Sequence, residues 1–134
     1  TANEEDLVKY AFALFLNHDF AKSLEVANMG LKKNPRHAAF NRLAMYNNTD
    51  LKRFEEALKA ADVFFNECDK ADYSYLDYMY YGHLLEELKK YDEAVGQYEK
   101  AVELDPTKTD LYKNISSVYE QKNDYKRKNS ALPV

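Results

Sequence analysis

Side chains able to do chemistry are few and scattered along this 134-residue chain. The histidines are His18, His37 and His83. No two stand at the H-x-x-x-H spacing that puts two imidazoles on one helical face for a metal. Cys68 is the only thiol, so no internal disulfide can form, and a lone cysteine leaves the redox compartment open. The acidic pairs Glu86–Glu87 and Asp92–Glu93 have the residue types of an acid–base couple. Adjacent helical carboxylates point in different directions, however, and solvated helix faces are rich in them. No G-x-S-x-G elbow, phosphate-cradling glycine loop or Cys–His arrangement occurs. Asn47-Asn48-Thr49 and Asn114-Ile115-Ser116 match a glycosylation triplet, but the second falls within a predicted helix. The expectation is a chain that is not an enzyme and has no cofactor or metal.

Composition bounds the remaining classes. The 46% apolar content can supply a core, and the 31% of charged residues cover it. The net charge of −4 comes from interleaved acids and bases, without the basic face that nucleic-acid phosphates require. No apolar run approaches the ~20 residues of a membrane-spanning helix. The reading is a soluble cytoplasmic or periplasmic chain, with no nucleic acid bound and no membrane insertion. The chain opens Thr1-Ala2-Asn3, without Met or a signal-peptide pattern, as expected of a processed form or an excised fragment.

These residues need elements to position them. With three glycines and three prolines the chain is poor in the turns that tandem strands require. Apolar residues instead recur at helical spacing. The stripes are Leu7, Tyr10, Ala11, Leu14; Phe20, Leu24, Ala27, Leu31; and Phe40, Leu43, Ala44. They continue with Phe54, Ala57, Leu58, Ala61, Phe64, Phe65 and with Tyr75, Tyr78, Tyr81, Gly82, Leu85. The last two are Ala94, Tyr98, Ala101 and Tyr112, Ile115, Val118, Tyr119. Seven helices joined by short polar links follow. Tyr73, Tyr75 and Tyr80 lie partly off their stripe and are read as packing on a neighbouring repeat, the alternative being an amphipathic contact surface.

The stripes repeat. Tyr78, Tyr81, Gly82 and Leu85 return 34 residues later as Tyr112, Ile115, Ser116 and Tyr119. Leu7, Tyr10, Ala11, Leu14, Ser23, Ala27, Gly30 and Pro35 keep the same internal offsets. Ala57 to Ala94 spans 37 residues, so the second unit holds about three extra, placed within "NECDKADYS". The stretch "YMYYGHLLEELKKYDEAVGQYEKAVELDP" carries nearly the whole signature of the tetratricopeptide repeat, which this chain resembles over about three and a half repeats. The second unit departs from the pattern at Phe40/Asn41 and in the exchange of small and large residues at Ala61 and Phe64. In the fourth unit Lys128 stands where a small residue is expected, so its second helix is expected to be absent or truncated.

The resemblance implies an all-α fold, a right-handed α-α superhelix of stacked antiparallel helix hairpins, as a single domain over 1–134. Repeats are expected at 4–37, 38–72 and 73–108, a half repeat at 109–124 and a tail at 125–134. It also implies a concave groove lined by the first helices. Positions one, five and eight after each anchor give Val8, Phe12 and Phe15 in the first unit. They give Arg42, Tyr46 and Thr49 in the second. The third supplies Met79, His83 and Glu86, with Leu76 beside them, and the fourth Lys113, Ser117 and Glu120. Where some family members hold a terminal carboxylate, this chain has Val8 and Phe12, so a carboxylate clamp is not expected. The functional expectation is a module binding a protein or peptide segment. The alternative is a structural length of a longer solenoid that packs on adjoining repeats or forms a homo-oligomer. Leu132-Pro133-Val134 is expected to fray, or else to lie in a neighbouring molecule's groove.

The small residues on the apolar stripes are read as seams that let helix backbones approach. Gly82→Leu is therefore expected to cost about 1–3 kcal/mol by overpacking, read as a lowered thermal midpoint.

Overall fold

The computed structural model describes residues 3–68 and 72–130. Among them are seven α-helices and no strand: α1 (Glu4–Leu16), α2 (Phe20–Lys33), α3 (Ala38–Asp50), α4 (Phe54–Asn66), α5 (Tyr75–Glu87), α6 (Tyr91–Leu104) and α7 (Asp110–Ser130). The chain forms two compact units, Thr1–Asp72 and Tyr73–Val134. The first holds α1–α4 and the second α5–α7. The division falls in the stretch to which the sequence period assigns its extra residues.

Within each hairpin the helices are joined by three residues, too few for anything but antiparallel neighbours. The three turns share one geometry. His18, Lys52 and Lys89 adopt φ of 61°, 62° and 62°. In each, the residue at positive φ and the one after it donate back to the last helical turn: His18 to Phe15 and Asp19 to Leu14, Lys52 to Thr49 and Arg53 to Asn48, Lys89 to Glu86 and Lys90 to Leu85. This is the Schellman closure, which satisfies carbonyls the helix end would otherwise leave unpaired. Glycine is the usual residue there, and none of the chain's glycines occupies it. The first helix of each hairpin is capped by a side chain, whereas α2, α4 and α6 start without one. Asn3 accepts from the Asp6 amide at 2.8 Å, and the buried Asp77 accepts from the Ser74 amide at 2.9 Å.

In the first unit the seams are real. Ser23 on α2 is fully buried; its hydroxyl donates to the Ala11 carbonyl of α1 at 2.7 Å and accepts from the Asn47 amide of α3 at 2.8 Å. A Cβ on Gly30 would come within 2.3 Å of the Phe40 ring, so that ring lies against α2's bare backbone. The exchange at Ala61 and Phe64 keeps the core filled, since both are 0% exposed. In the second unit Ala94 and Ala101 are fully buried, and the nearest atoms to a Cβ on Gly82 are those of the Tyr98 ring, at 2.9 Å. The glycine thus accommodates an aromatic face.

Two expectations need correction. Tyr10, Tyr112 and Tyr119 were placed on the core stripe but are 49%, 53% and 47% exposed. α7 packs on α6 through Leu111 and Val118, a register that turns Tyr112 and Tyr119 outward. The last helix also runs to Ser130, through residues expected as tail. Asn123 stands 34 residues after Lys89, where the hairpin turn would recur, but the following seam position carries Lys128 instead of a small residue. A second helix could not approach closely there, and no glycine or proline interrupts the run. Tyr125 meets Tyr91 edge-on at 6.1 Å, and Lys122 pairs with Asp92 at 2.5 Å, holding the extension on α6. Leu132-Pro133-Val134 lies outside the described residues.

Three stability measurements follow. Gly30→Ala should lower the melting midpoint, costing about 1–3 kcal/mol because Phe40 must move. Gly96→Ala, with nothing within 4 Å of its added Cβ, should raise stability by about 0.5–1 kcal/mol. At the turn, Lys52→Gly should add about 0.5–1 kcal/mol by relieving the left-handed backbone. A denaturant titration that leaves its midpoint unmoved would contradict this.

Candidate functional site

The first-helix face was the expected site, and each unit presents its own part of it. In the first unit Val8 is half-buried and Phe12 is 39% exposed. Behind Phe12 stands an aromatic stack. The Phe12 and Phe15 rings are 6.0 Å apart, Phe15 and Tyr46 5.3 Å, and Phe15 and Phe20 5.9 Å. Phe15 and Tyr46, expected to line the groove, are 9% and 1% exposed, so they are core residues that back Phe12 rather than a surface a ligand touches. Thr49 is likewise buried, its hydroxyl spent on the Met45 carbonyl at 2.7 Å. The pattern of positions put these three on the groove side of their helices, and their burial corrects it. It could not register that aromatics from α1, α2 and α3 close over one another. Arg42 is half-buried, its guanidinium 5.0 Å over the Phe64 ring and donating to the Asp72 carbonyl at 2.7 Å.

In the second unit Leu76 and Met79 are half-buried and His83 is exposed. His83 stands 3.8 Å from Glu87, one turn on. Glu86 was expected in the groove, but its carboxylate is engaged. It accepts from the Tyr98 hydroxyl at 2.8 Å and from the Gln121 amide at 2.6 Å, joining α5, α6 and α7. Burial and that hydrogen bond push the Tyr98 phenol far above its ordinary range. Ser117 is exposed and accepts from the same Gln121 amide at 3.2 Å. Lys113 and Glu120 are exposed, Lys113 lying 3.9 Å from Asp110. Gln121 was missed because it sits 35 residues after Glu86, one residue off the repeat, so the period gives it no counterpart.

The acidic pairs do not converge. Glu86 turns to Tyr98 and Gln121, Glu87 to His83, and Asp92 to Lys122, whose hydrogen bond holds the Asp92 carboxyl below its usual range. Among the described residues, no three His, Cys, Asp or Glu side chains gather as metal ligands. Nor is any described helix long and apolar enough to cross a membrane.

Known proteins give the arrangement a context. The family model described as TPR repeat matches residues 82–123. Comparison with curated protein sequences finds no match. Among solved structures, the C-terminal part of a TPR repeat-containing protein from Cytophaga hutchinsonii is 27% identical over 86% of this chain and 45% of its own, with a TM-score of 0.78. MamA (41-end) from Desulfovibrio magneticus RS-1 is similar in fold, with a TM-score of 0.77 at 20% identity, over 95% of this chain and 70% of its own. A chain of the Naa15/Naa10 structure bound to HypK-THB matches 91% of this chain and 18% of its own, with a TM-score of 0.63 at 25% identity. This chain thus spans less than half of the first and under a fifth of the third. Such repeats generally mediate protein–protein interaction and form a non-catalytic scaffold. Residues 82–123 thus match the tetratricopeptide repeat, and the chain is similar in fold to repeat-protein structures along most of its length, with the same hairpin turn recurring in both of its units.

Proposed function

We propose that the chain is a non-enzymatic interaction module that binds a peptide or protein segment on the face of its first helices. Phe12 is the observation that supports this best. It is a large apolar side chain left 39% exposed at the end of a stack whose inner rings are immobilised in the core. A rigid apolar tip of this kind is the sort of anchor on which a partner's side chain buries itself. Val8 lies one turn earlier on α1 and adds to the apolar area, and Arg42 brings positive charge on α3. In the second unit Leu76, Met79 and His83 form a surface of similar character, with Lys113 and Ser117 on α7 as polar positions. An extended or helical segment carrying spaced apolar residues fits such faces. The Naa15/Naa10 relative, solved with a bound protein, is in keeping with this reading.

A second reading rests on α7. Tyr112 and Tyr119 occupy the repeat positions of Tyr78 and Leu85, yet both point outward, whereas Leu85 is buried. Their uncovered stripe supports packing on adjoining repeats or on a second copy.

Peptides selected by phage display on the immobilised chain would separate the two. Calorimetry of a selected peptide should show at least a tenfold loss for Phe12→Glu, about 1.4 kcal/mol, with little change for Tyr112→Glu. Light scattering should give a monomer. A mass that doubles with concentration, is lost in Tyr112→Glu and is unmoved by Phe12→Glu would favour the second reading instead.

A further inference from the structure

A cleft of about 380 Å³ lies between α2 and α4 of the first unit, with α3 as its floor. That volume is at the small end of the range of ligand clefts, roughly 300–1,000 Å³. The cleft is distinct from the surface around Phe12 and has a different chemistry. Its walls are apolar, from Leu24 and Leu31 on α2 and Val63 on α4. Its floor is not. Asn41 and Asn48 both line it and are 4% and 6% exposed. The Asn48 carboxamide makes no hydrogen bond among the described residues and, unlike the sealed Asn47 Oδ1 beside it, is open to the cleft. Asn41 is half satisfied, its Nδ2 donating to the carbonyls of Pro35 and His37 at 3.0 and 2.9 Å and to Cys68 Sγ at 3.7 Å. A mostly buried carboxamide normally finds a partner, and at Asn48 the cleft is where one can be met. Neither residue falls at a position where the repeat pattern calls for asparagine; the corresponding residues of α5 are Tyr78 and Leu85.

We infer that this cleft is a second binding site, taking a short extended stretch of uncharged polypeptide whose main-chain amides pair with Asn48 and Asn41. A carboxamide offers one acceptor and a donor pair, the complement of a peptide group. The two asparagines are seven residues apart on α3, about 10 Å of helical rise. An extended chain covers that length in about three residues. Ala44 lies between them and leaves the floor low enough for a backbone to approach. The rim carries Arg53 and Lys59 against Glu56, a mixed set that gives no strong preference for a charged ligand. Apolar walls then receive the side chains, while main-chain hydrogen bonds supply the orientation.

The test uses the whole chain and the blocked peptide acetyl-Val-Ala-Val-Ala-amide, followed through the side-chain NH2 resonances of Asn41 and Asn48 in 15N spectra. Saturable shifts of both are expected, at least tenfold weaker in Asn48→Ala and unchanged in Phe12→Glu, which separates this site from the first-helix face. Asn48→Leu should abolish the binding while raising the melting temperature, since it removes an amide the fold does not use. No shift at millimolar peptide, equal shifts in Asn48→Ala, or a lowered melting temperature for both Asn48 variants would overturn the inference.

Discussion

Helices in this chain pack by setting an aromatic ring directly against bare backbone. Gly30 admits the Phe40 ring, and Gly82 admits the Tyr98 ring, at distances where any added methyl would collide. That demand fixes where small residues stand, which ring faces them and how far apart neighbouring helices lie. It also explains why alanine, a residue that buries little, is fully enclosed at Ala27, Ala57, Ala61, Ala94 and Ala101. Larger side chains there would bury more area and still lose, because interiors tolerate added volume poorly.

Close approach also brings polar atoms within reach of one another, and each unit uses this differently. In the first, Ser23 joins the backbone of α1 to the side chain of Asn47 on α3. The Asn47 Oδ1 is left buried without a partner. In the second, Glu86 receives hydrogen bonds from Tyr98 and Gln121 and so ties three helices through one half-buried carboxylate. These ties define direction more than they add net stability, since a protein hydrogen bond largely replaces one to water. They also withdraw groups from the surface. Glu86 would look like a recognition residue from its position alone, and its two donors make it a structural one.

Much of this was legible in the sequence. The helix count, the 34-residue period, its lengthening to 37 and the seams at Ser23, Gly30 and Gly82 follow from residue types and spacing. What escaped has physical reasons. The burial of Phe15 and Tyr46 depends on rings contributed by three helices, and spacing along one helix carries no such information. The hairpin turns gave no glycine signal because His18, Lys52 and Lys89 take the left-handed conformation themselves. The outward turn of Tyr112 and Tyr119 comes from a register set by α6, and Leu111 was overlooked because the repeat aligns Tyr112 with Tyr78. At the candidate site Phe12, His83, Lys113, Ser117 and Glu120 are exposed as expected, while Phe15, Tyr46 and Thr49 are not.

The shared turn has a bearing on how such a chain can grow. All three hairpins close over the same three residues with the same return hydrogen bonds, while the links that follow a hairpin have four, eight and five residues. Length variation is thereby confined to one kind of joint. A gene duplication or exchange cut at the hairpin tip would splice identical backbone to identical backbone, leaving the helix phase intact on both sides. Insertions accumulate instead after each second helix, and there the chain has already admitted three residues without disturbing either neighbour's fold.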